Sequence, residues 1–163
     1  MSMKMTIEPL LEAHYPAVRR IYEEGLATGI STFETKSIDW QAWDEKYLPT
    51  CRWVALLDCE VAGWAALTPY SKREVYRGVA EVAIYVGEKF RSQGIGQALL
   101  KHLVETSEKA GFWTLQAVIF AQNTASIRLH EGAGFRMVGI RERIAQRDGV
   151  WHDNVLMERR RKV

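Results

Sequence analysis

The chain predicts an α/β fold, classed as α+β in some schemes, and three observations carry this. First, segments of strand-like alternation interleave with segments of helical period, in the order β-α-α-β-β-β-α-β-α-β-β. Second, turn residues close hairpins towards both ends, at Asp58-Cys59-Glu60 and at Asp148-Gly149. Third, the stretch Glu81 to Val86, a helix opening near Ile95 and the stretch Thr114 to Phe120 form one strand–helix–strand crossover. Such a unit should be parallel and right-handed, with ligands beyond the strand C-termini.

Taken in order, Met5 to Leu10 is a short strand. Glu12 to Gly25 carries Val18, Ile21 and Tyr22 at helical spacing, with Pro16 tolerable in the first turn. Ala27 to Glu34 is a polar loop with one isolated aromatic, Phe33. Ser37 is placed to cap a second helix, with Trp40, Trp43 and Tyr47 on one side and Pro49 after its end. Arg52–Leu57 and Val61–Leu67 are the first hairpin, stopped at Pro69. A polar connection, Tyr70 to Gly78, leads to Val82, Ile84 and Val86, which alternate as a strand does. Ile95, Leu99 and Leu103, with Ala98 and Leu100, make one apolar helix face, and Gly111 sits where a C′ glycine belongs. Thr114 to Phe120 reads apolar on both faces, as a central strand would. Asn123 to Glu131 is a short helix, and Met137–Ile144 and Val150–Met157 are the last hairpin. No repeat, low-complexity segment or linker interrupts the chain.

At 163 residues the expectation is one domain, residues 1–163. A chain of this size buries about 70% of its unfolded surface. It is 47% hydrophobic and 26% charged, with a net charge of +2, which favours neither nucleic acid nor membrane as partner. No apolar run approaches the ~20 residues of a membrane span, and Met1 to Met5 is followed by no apolar leader region. Cys51 and Cys59 form no metal-type pair, no metal is expected, and both read as small apolar side chains in a reducing, cytoplasmic setting. The run Arg159-Arg-Arg-Lys162 reads as a frayed, solvated tail.

The stretch Arg91-Ser-Gln-Gly94-Ile-Gly96 joins the central strand to its helix. Two glycines at a helix start let backbone approach a ligand, and the free N–H groups there favour an anion. A triphosphate loop would need Gly-Lys-Ser/Thr, which is absent, and a dinucleotide fold would place its glycines after the first strand. On these residues alone a phosphate cradle and a plain structural turn both stay open. Downstream, Asn123, Ser126, His130, Glu131, Gly134 and Phe135 form Asn-x-x-Ser-x-x-x-His-Glu-x-x-Gly-Phe. With Arg91-x-x-Gly94-x-Gly96, this resembles the GNAT superfamily of acetyl-CoA-dependent N-acetyltransferases over almost the entire chain. Tyr76-x-x-x-x-Glu81, Tyr85-Val86, Leu129-His130-Glu131, Gly149-Val-Trp-His-Asp153 and Thr32-Phe33-Glu34 resemble its phosphinothricin and methionine-sulfoximine acetyltransferase branch. Tyr70, Arg73 and Tyr76 fit the aromatic-x-x-Arg-x-x-Tyr pattern, and Ala80 departs from the valine common in relatives.

The resemblance implies a GNAT fold, a mixed and mostly antiparallel sheet of about seven strands whose fourth and fifth, parallel, splay apart. It implies attack of a small-molecule amine on acetyl-CoA in a ternary complex, and a homodimer, whose interface some of the six tryptophans would join. Val86, Gly87, Glu88, Arg91, Gln93, Gly94, Ile95, Gly96, Gln97, Ala98 and Leu99 would meet the cofactor, with Asn123 and Ser126 across its pantetheine arm. The N–H groups from Gln93 to Ala98 would hold the pyrophosphate, and an N–H of Tyr85 or Val86 would face the thioester oxygen. Glu81, in phase with Ala83 and Tyr85, occupies the position of the family's proposed base. His130 stands where many members carry a tyrosine, and as an imidazolium it would protonate the leaving sulfur. Phe33, Arg73, Glu74, Val75, Ala83, Ile84, Tyr85 and His152 would meet the amine, with Arg73 clamping a carboxylate and Trp40 helping to wall the pocket. Two other classes stay in view: an acetyltransferase for a polyamine, an aminoglycoside or a protein N-terminus, and a non-catalytic acyl-CoA-binding module.

Overall fold

The computed structural model describes residues 2–162, so Met1 and Val163, the two ends of the expected domain and the first residue of the leader reading, lie outside the described residues. Seven strands form a single sheet: β1 Met5–Pro9, β2 Trp53–Leu57, β3 Glu60–Pro69, β4 Val79–Val86, β5 Thr114–Phe120, β6 Arg136–Arg147 and β7 Val150–Arg160. Their spatial order is β1-β2-β3-β4-β5-β7-β6. Neighbours run antiparallel except β4 and β5, the pair joined by the crossover. The helices are α1 Tyr15–Thr28, α2 Trp40–Lys46, α3 Ile95–Lys109 and α4 Thr124–Gly132. This is the expected mixed, mostly antiparallel sheet.

Each face of the sheet has its own core. Ile95, Leu99, Leu100 and Leu103 of α3 pack on Ala65, Leu67, Ala117, Val155 and Met157. On the other face Val18 and Ile21 of α1 and Trp43 of α2 enclose Val54, Trp64 and Ala66. Trp64 is fully buried, its ring T-shaped to Trp43 at 5.6 Å and stacked on Tyr85 at 5.1 Å. Strand alternation makes this division: Val82, Ile84 and Val86 pack with the α3 side, Ala83 and Tyr85 with the α1 side.

Both hairpin turns match their sequences. Asp58 and Cys59 have φ of 49° and 70°, and Asp148 and Gly149 of 50° and 77°, the left-handed pair that a two-residue turn requires. Cys59 is exposed there, so of the two cysteines expected to act as small apolar side chains only Cys51 is buried. The cap of α2 is Asp39, whose Oδ1 accepts the Ala42 N–H at 2.9 Å. Ser37, the expected cap, instead donates to Glu23 Oε1 at 2.7 Å. Trp40 stacks on Trp43, 5.7 Å away, and does not reach the cleft described below. The basic terminus is also not a frayed tail. Arg159 and Arg160 are strand residues paired with Leu115 and Thr114 of β5, and Arg159 donates to Ala133 O at 3.1 Å and to Glu108.

One feature of the sheet positions everything that follows. The pairing of β4 with β5 runs from Val79↔Thr114 to Glu81↔Gln116 and then stops. Beyond it β4 continues to Val86 and β5 to Phe120 along diverging paths, opening a slit through the sheet.

Candidate active site

The slit widens into a cleft of about 900 Å³. Glu81 to Val86 make one wall and Ala117 to Phe120 the other. On the α3 face it is closed by Arg91, Ser92, Gly94, Ile95, Gly96 and Gln97 and by Asn123, Ser126, Leu129 and His130 of the α4 segment. On the α1 face it is closed by Tyr22, Tyr47 and the loop from Thr28 to Glu34. The cleft therefore passes from one side of the sheet to the other.

The ladder decides which backbone groups look into it. Gly87 N–H donates to Ala62 O at 2.8 Å, and Tyr70 N–H to Val79 O at 3.3 Å. With the register Trp64↔Tyr85 and Gly63↔Val86, this parity turns the N–H groups of Glu81, Ala83 and Tyr85 towards β3. Those of Ala80 and Val82 serve the rungs to β5, and those of Ile84 and Val86 face the slit, so of the N–H groups of Tyr85 and Val86 only that of Val86 looks into it.

At the α3 end, Ser92 and Gly94 both hold left-handed φ, 62° and 81°, which turns the chain sharply into the helix. The helical ladder starts with Ala98 N–H on Gly94 O at 3.1 Å. The N–H groups of Ile95, Gly96 and Gln97 precede it, without helical partners, at the cleft. Asn123 caps α4, its Oδ1 taking the Ser126 N–H at 3.2 Å.

Several expected cofactor residues lie elsewhere. Ala98 spends its N–H inside the helix. Leu99 is fully buried, its Cδ1 against Gly63 where a Cβ would come within 3.0 Å, because the helical period points it at the core. Gln93 turns its amide back onto Lys89 O at 3.3 Å. Gly87 is bonded to β3, Glu88 N–H donates to Glu24 Oε2 at 2.6 Å, and both line a separate groove with Arg20 and Glu60.

At the α1 end, Phe33, Ala83, Ile84 and Tyr85 are in the cleft as expected. Arg73, Glu74 and Val75 are not. They sit on an exposed one-turn segment between β3 and β4, with the Arg73 guanidinium 5.5 Å from the Tyr76 ring centre. His152 lies behind the wall, stacked on Phe120 at 4.9 Å and 3.1 Å from Gln122 Nε2. Glu81 is half-buried and accepts from Gln116 Nε2 at 2.8 Å. Residues that sequence reasoning missed complete this end: Tyr22, Glu34 and Tyr47. Burial raises the pKa of Tyr22, Tyr47 and Tyr85, so their hydroxyls stay protonated and able to donate. The signal for Glu34 was the Thr32-Phe33-Glu34 triplet itself, where Thr32 Oγ1 takes the Glu34 N–H at 3.1 Å and sets the turn.

His130 is only 2% exposed. Its Nδ1 donates to Ser126 O at 2.7 Å, and its Nε2 has no partner among the described residues. Burial lowers its pKa from the usual histidine value, so the ring is held neutral with Nε2 as a bare acceptor. That argues against the expected imidazolium donor.

The Acetyltransferase (GNAT) family profile matches residues 15–135, a span that holds α1, the slit, α3 and α4. A phosphinothricin N-acetyltransferase of Streptomyces viridochromogenes is 32% identical over 151 residues, covering 90% of this chain and 82% of that protein. An L-methionine sulfoximine/L-methionine sulfone acetyltransferase of Pseudomonas paraeruginosa is 28% identical, covering 96% and 94%. The crystal structure of a phosphinothricin acetyltransferase of Sinorhizobium meliloti in complex with acetyl-CoA superposes with a TM-score of 0.88 at 29% identity, covering 97% of this chain and 89% of that one. The through-sheet slit, the glycine-led helix start beside it and these matches converge: the chain belongs to the GNAT family of acetyltransferases.

Proposed function

We propose that this protein transfers the acetyl group of acetyl-CoA to the α-amino group of a small amino-acid analogue of the phosphinothricin, methionine sulfoximine or methionine sulfone type, by direct attack in a ternary complex. The observation that carries the reading is the slit itself, which connects an anion-binding helix start on one face to a carboxylate-and-tyrosine wall on the other.

The residues fit acetyl-CoA. Arg91 and the N–H groups of Ile95, Gly96 and Gln97 suit a pyrophosphate. The free edge of β4 at Ile84 and Val86 suits an amide-rich pantetheine arm laid beside it as an extra strand, with Asn123 and Ser126 opposite. Acetyl-CoA supplies a thioester already activated towards amines. The chain's own part is to align the two substrates, to accept the ammonium proton at Glu81, directly or through a water, and to direct the Val86 N–H at the developing oxyanion. Gln116 occupies Glu81 Oε1, which fixes the carboxylate and leaves Oε2 for the proton.

Coenzyme A release should be assayed with phosphinothricin, methionine sulfoximine and methionine sulfone. Turnover of at least one is expected, and none would end the substrate claim while leaving the family untouched. One observation favours a second reading: two carboxylates, Glu34 and Glu81, face the acceptor end, while Arg73 stands outside it. A polyamine or aminoglycoside turned over faster than all three amino-acid analogues would favour that reading.

The chain acts as one domain in the cytoplasm, where acetyl-CoA is available and free thiols such as Cys51 and Cys59 persist. It pairs as a homodimer through the β6–β7 hairpin, where Met137, Val138, Ile140, Ile144, Val150 and Trp151 are all exposed, Ile140 by 60%.

A further inference from the structure

Arg147 ends β6 at the tip of the long hairpin, far in sequence from the acceptor end of the cleft. Its side chain is nevertheless only 8% exposed. Nη1 donates to Thr32 O at 2.8 Å and Nη2 to Leu26 O at 2.6 Å. Both oxygens belong to the segment that closes the α1 face: Leu26 lies in the last turn of α1, and Thr32 lies in the loop that supplies Thr28, Ser31, Phe33 and Glu34 to the cleft wall. Gly29, with φ of 73°, terminates α1, and no regular element follows until α2 at Trp40. Leu26 O already takes the Gly29 N–H at 3.2 Å and accepts Arg147 on its second lone pair, whereas Thr32 O, in an irregular loop, takes its donor from Arg147. A guanidinium meets both at once, because its planar fork presents several N–H groups in fixed directions. Nε is buried without a hydrogen bond, with Asp148 Oδ2 3.6 Å away. The charge also lies close enough to Tyr22 to oppose the upward push of burial on its hydroxyl. Arg147 thus ties two parts of the acceptor wall, the end of α1 and the loop, to a hairpin that belongs to the other end of the sheet.

We propose that Arg147 is a positioning residue for the amine acceptor: it holds the Thr28-to-Glu34 loop in the shape that forms the acceptor end of the cleft. The proposal rests on the reading of that end as the amine site, and its test separates the two. In the full-length protein, amide hydrogen exchange of residues 28–34 should be on the order of tenfold faster in R147A than in wild type, with α3 unchanged. With whichever amine is turned over, its KM should rise by a similar factor while the KM for acetyl-CoA stays within about twofold. R147K, which keeps the charge but loses the fork, should fall between the two. Unchanged exchange in the loop, or both KM values rising in step, would overturn the proposal. If R147A does not fold, R147Q, which keeps one amide donor, is read in the same way. Failure of both to fold would also overturn it, since Arg147 would then support the whole chain. If no amine is turned over, the substrate reading fails, and the exchange experiment still decides the role of Arg147.

Discussion

Glu81 and Gln116 face each other across the last rung before the strands part, which places the proposed base at the mouth of the slit. Replacing Glu81 by Gln keeps the shape and removes the base. The rate at neutral pH should fall by roughly 10²–10⁴-fold. The deficit should shrink as pH rises, because an amine that loses its proton to solvent no longer needs the carboxylate. A pH–rate profile parallel to wild type would remove Glu81 from the mechanism. His130 makes a second prediction. Its folded-state pKa is lowered by burial, so as pH falls the unfolded chain takes up this proton first. The stability from this group is fully present above the unfolded value of about 6.5 and is lost below it, by at most about 1.4 kcal/mol per pH unit, until the folded value is reached. Denaturant midpoints at about pH 7.5 and pH 5.5 should therefore differ more in wild type than in H130Q. The places of individual residues at the cleft were legible where a motif and a period agreed, as for Gly94, Gly96, Asn123 and His130, although burial of the His130 ring argues against the proton donor expected there. Leu99 shows the opposite case: it falls inside the glycine motif, yet its helical phase with Ile95 and Leu103 already marks it as core. Arg73 lies in a connection with no period, so nothing local says that the chain turns outward there.

Helix α3 is the element on which the cofactor end depends. Arg91→Ala should raise the KM for acetyl-CoA by about tenfold, the value of one charge-assisted contact, and leave the KM of the amine almost unmoved. Equal changes in both would mean that Arg91 shapes the whole cleft instead. Elements flanked by clear punctuation were read end to end, as β5 was from Thr114 to Phe120. Those whose limits depend on distant partners were not. β7 continues to Arg160 because β5 pairs with it there, a fact invisible in a run of arginines. The cap of α2 is Asp39 because the helix opens only at Trp40, and Ser37, two residues earlier, bonds Glu23 of another helix.

At the scale of the molecule, the apolar outer hairpin makes its own prediction. Ile140→Glu, at a position 60% exposed, should halve the mass seen by sedimentation equilibrium and leave the circular dichroism unchanged. An unaltered mass would move the dimer contact elsewhere or leave the protein monomeric. The fold class, the strand order of the hairpins and the crossover could all be read from sequence, because each follows from local pattern and chirality. The width of the slit could not, since it depends on where two strands stop pairing, and nothing in either strand marks Glu81 as the last partner. That divergence also gives the sheet a free edge in its interior, at Ile84 and Val86, of the kind proteins usually shield at their outer strands. An open edge is a template for any extended chain, including a second copy of the same protein. With the pantetheine arm laid along that edge as proposed, the acetyl donor would also shield it from self-association. At a hundredfold its Kd it should add about 2.7 kcal/mol to the unfolding free energy. It should also slow aggregation on mild heating more than adenosine 3′,5′-bisphosphate at equal saturation, because that nucleotide has no arm to lay along the edge.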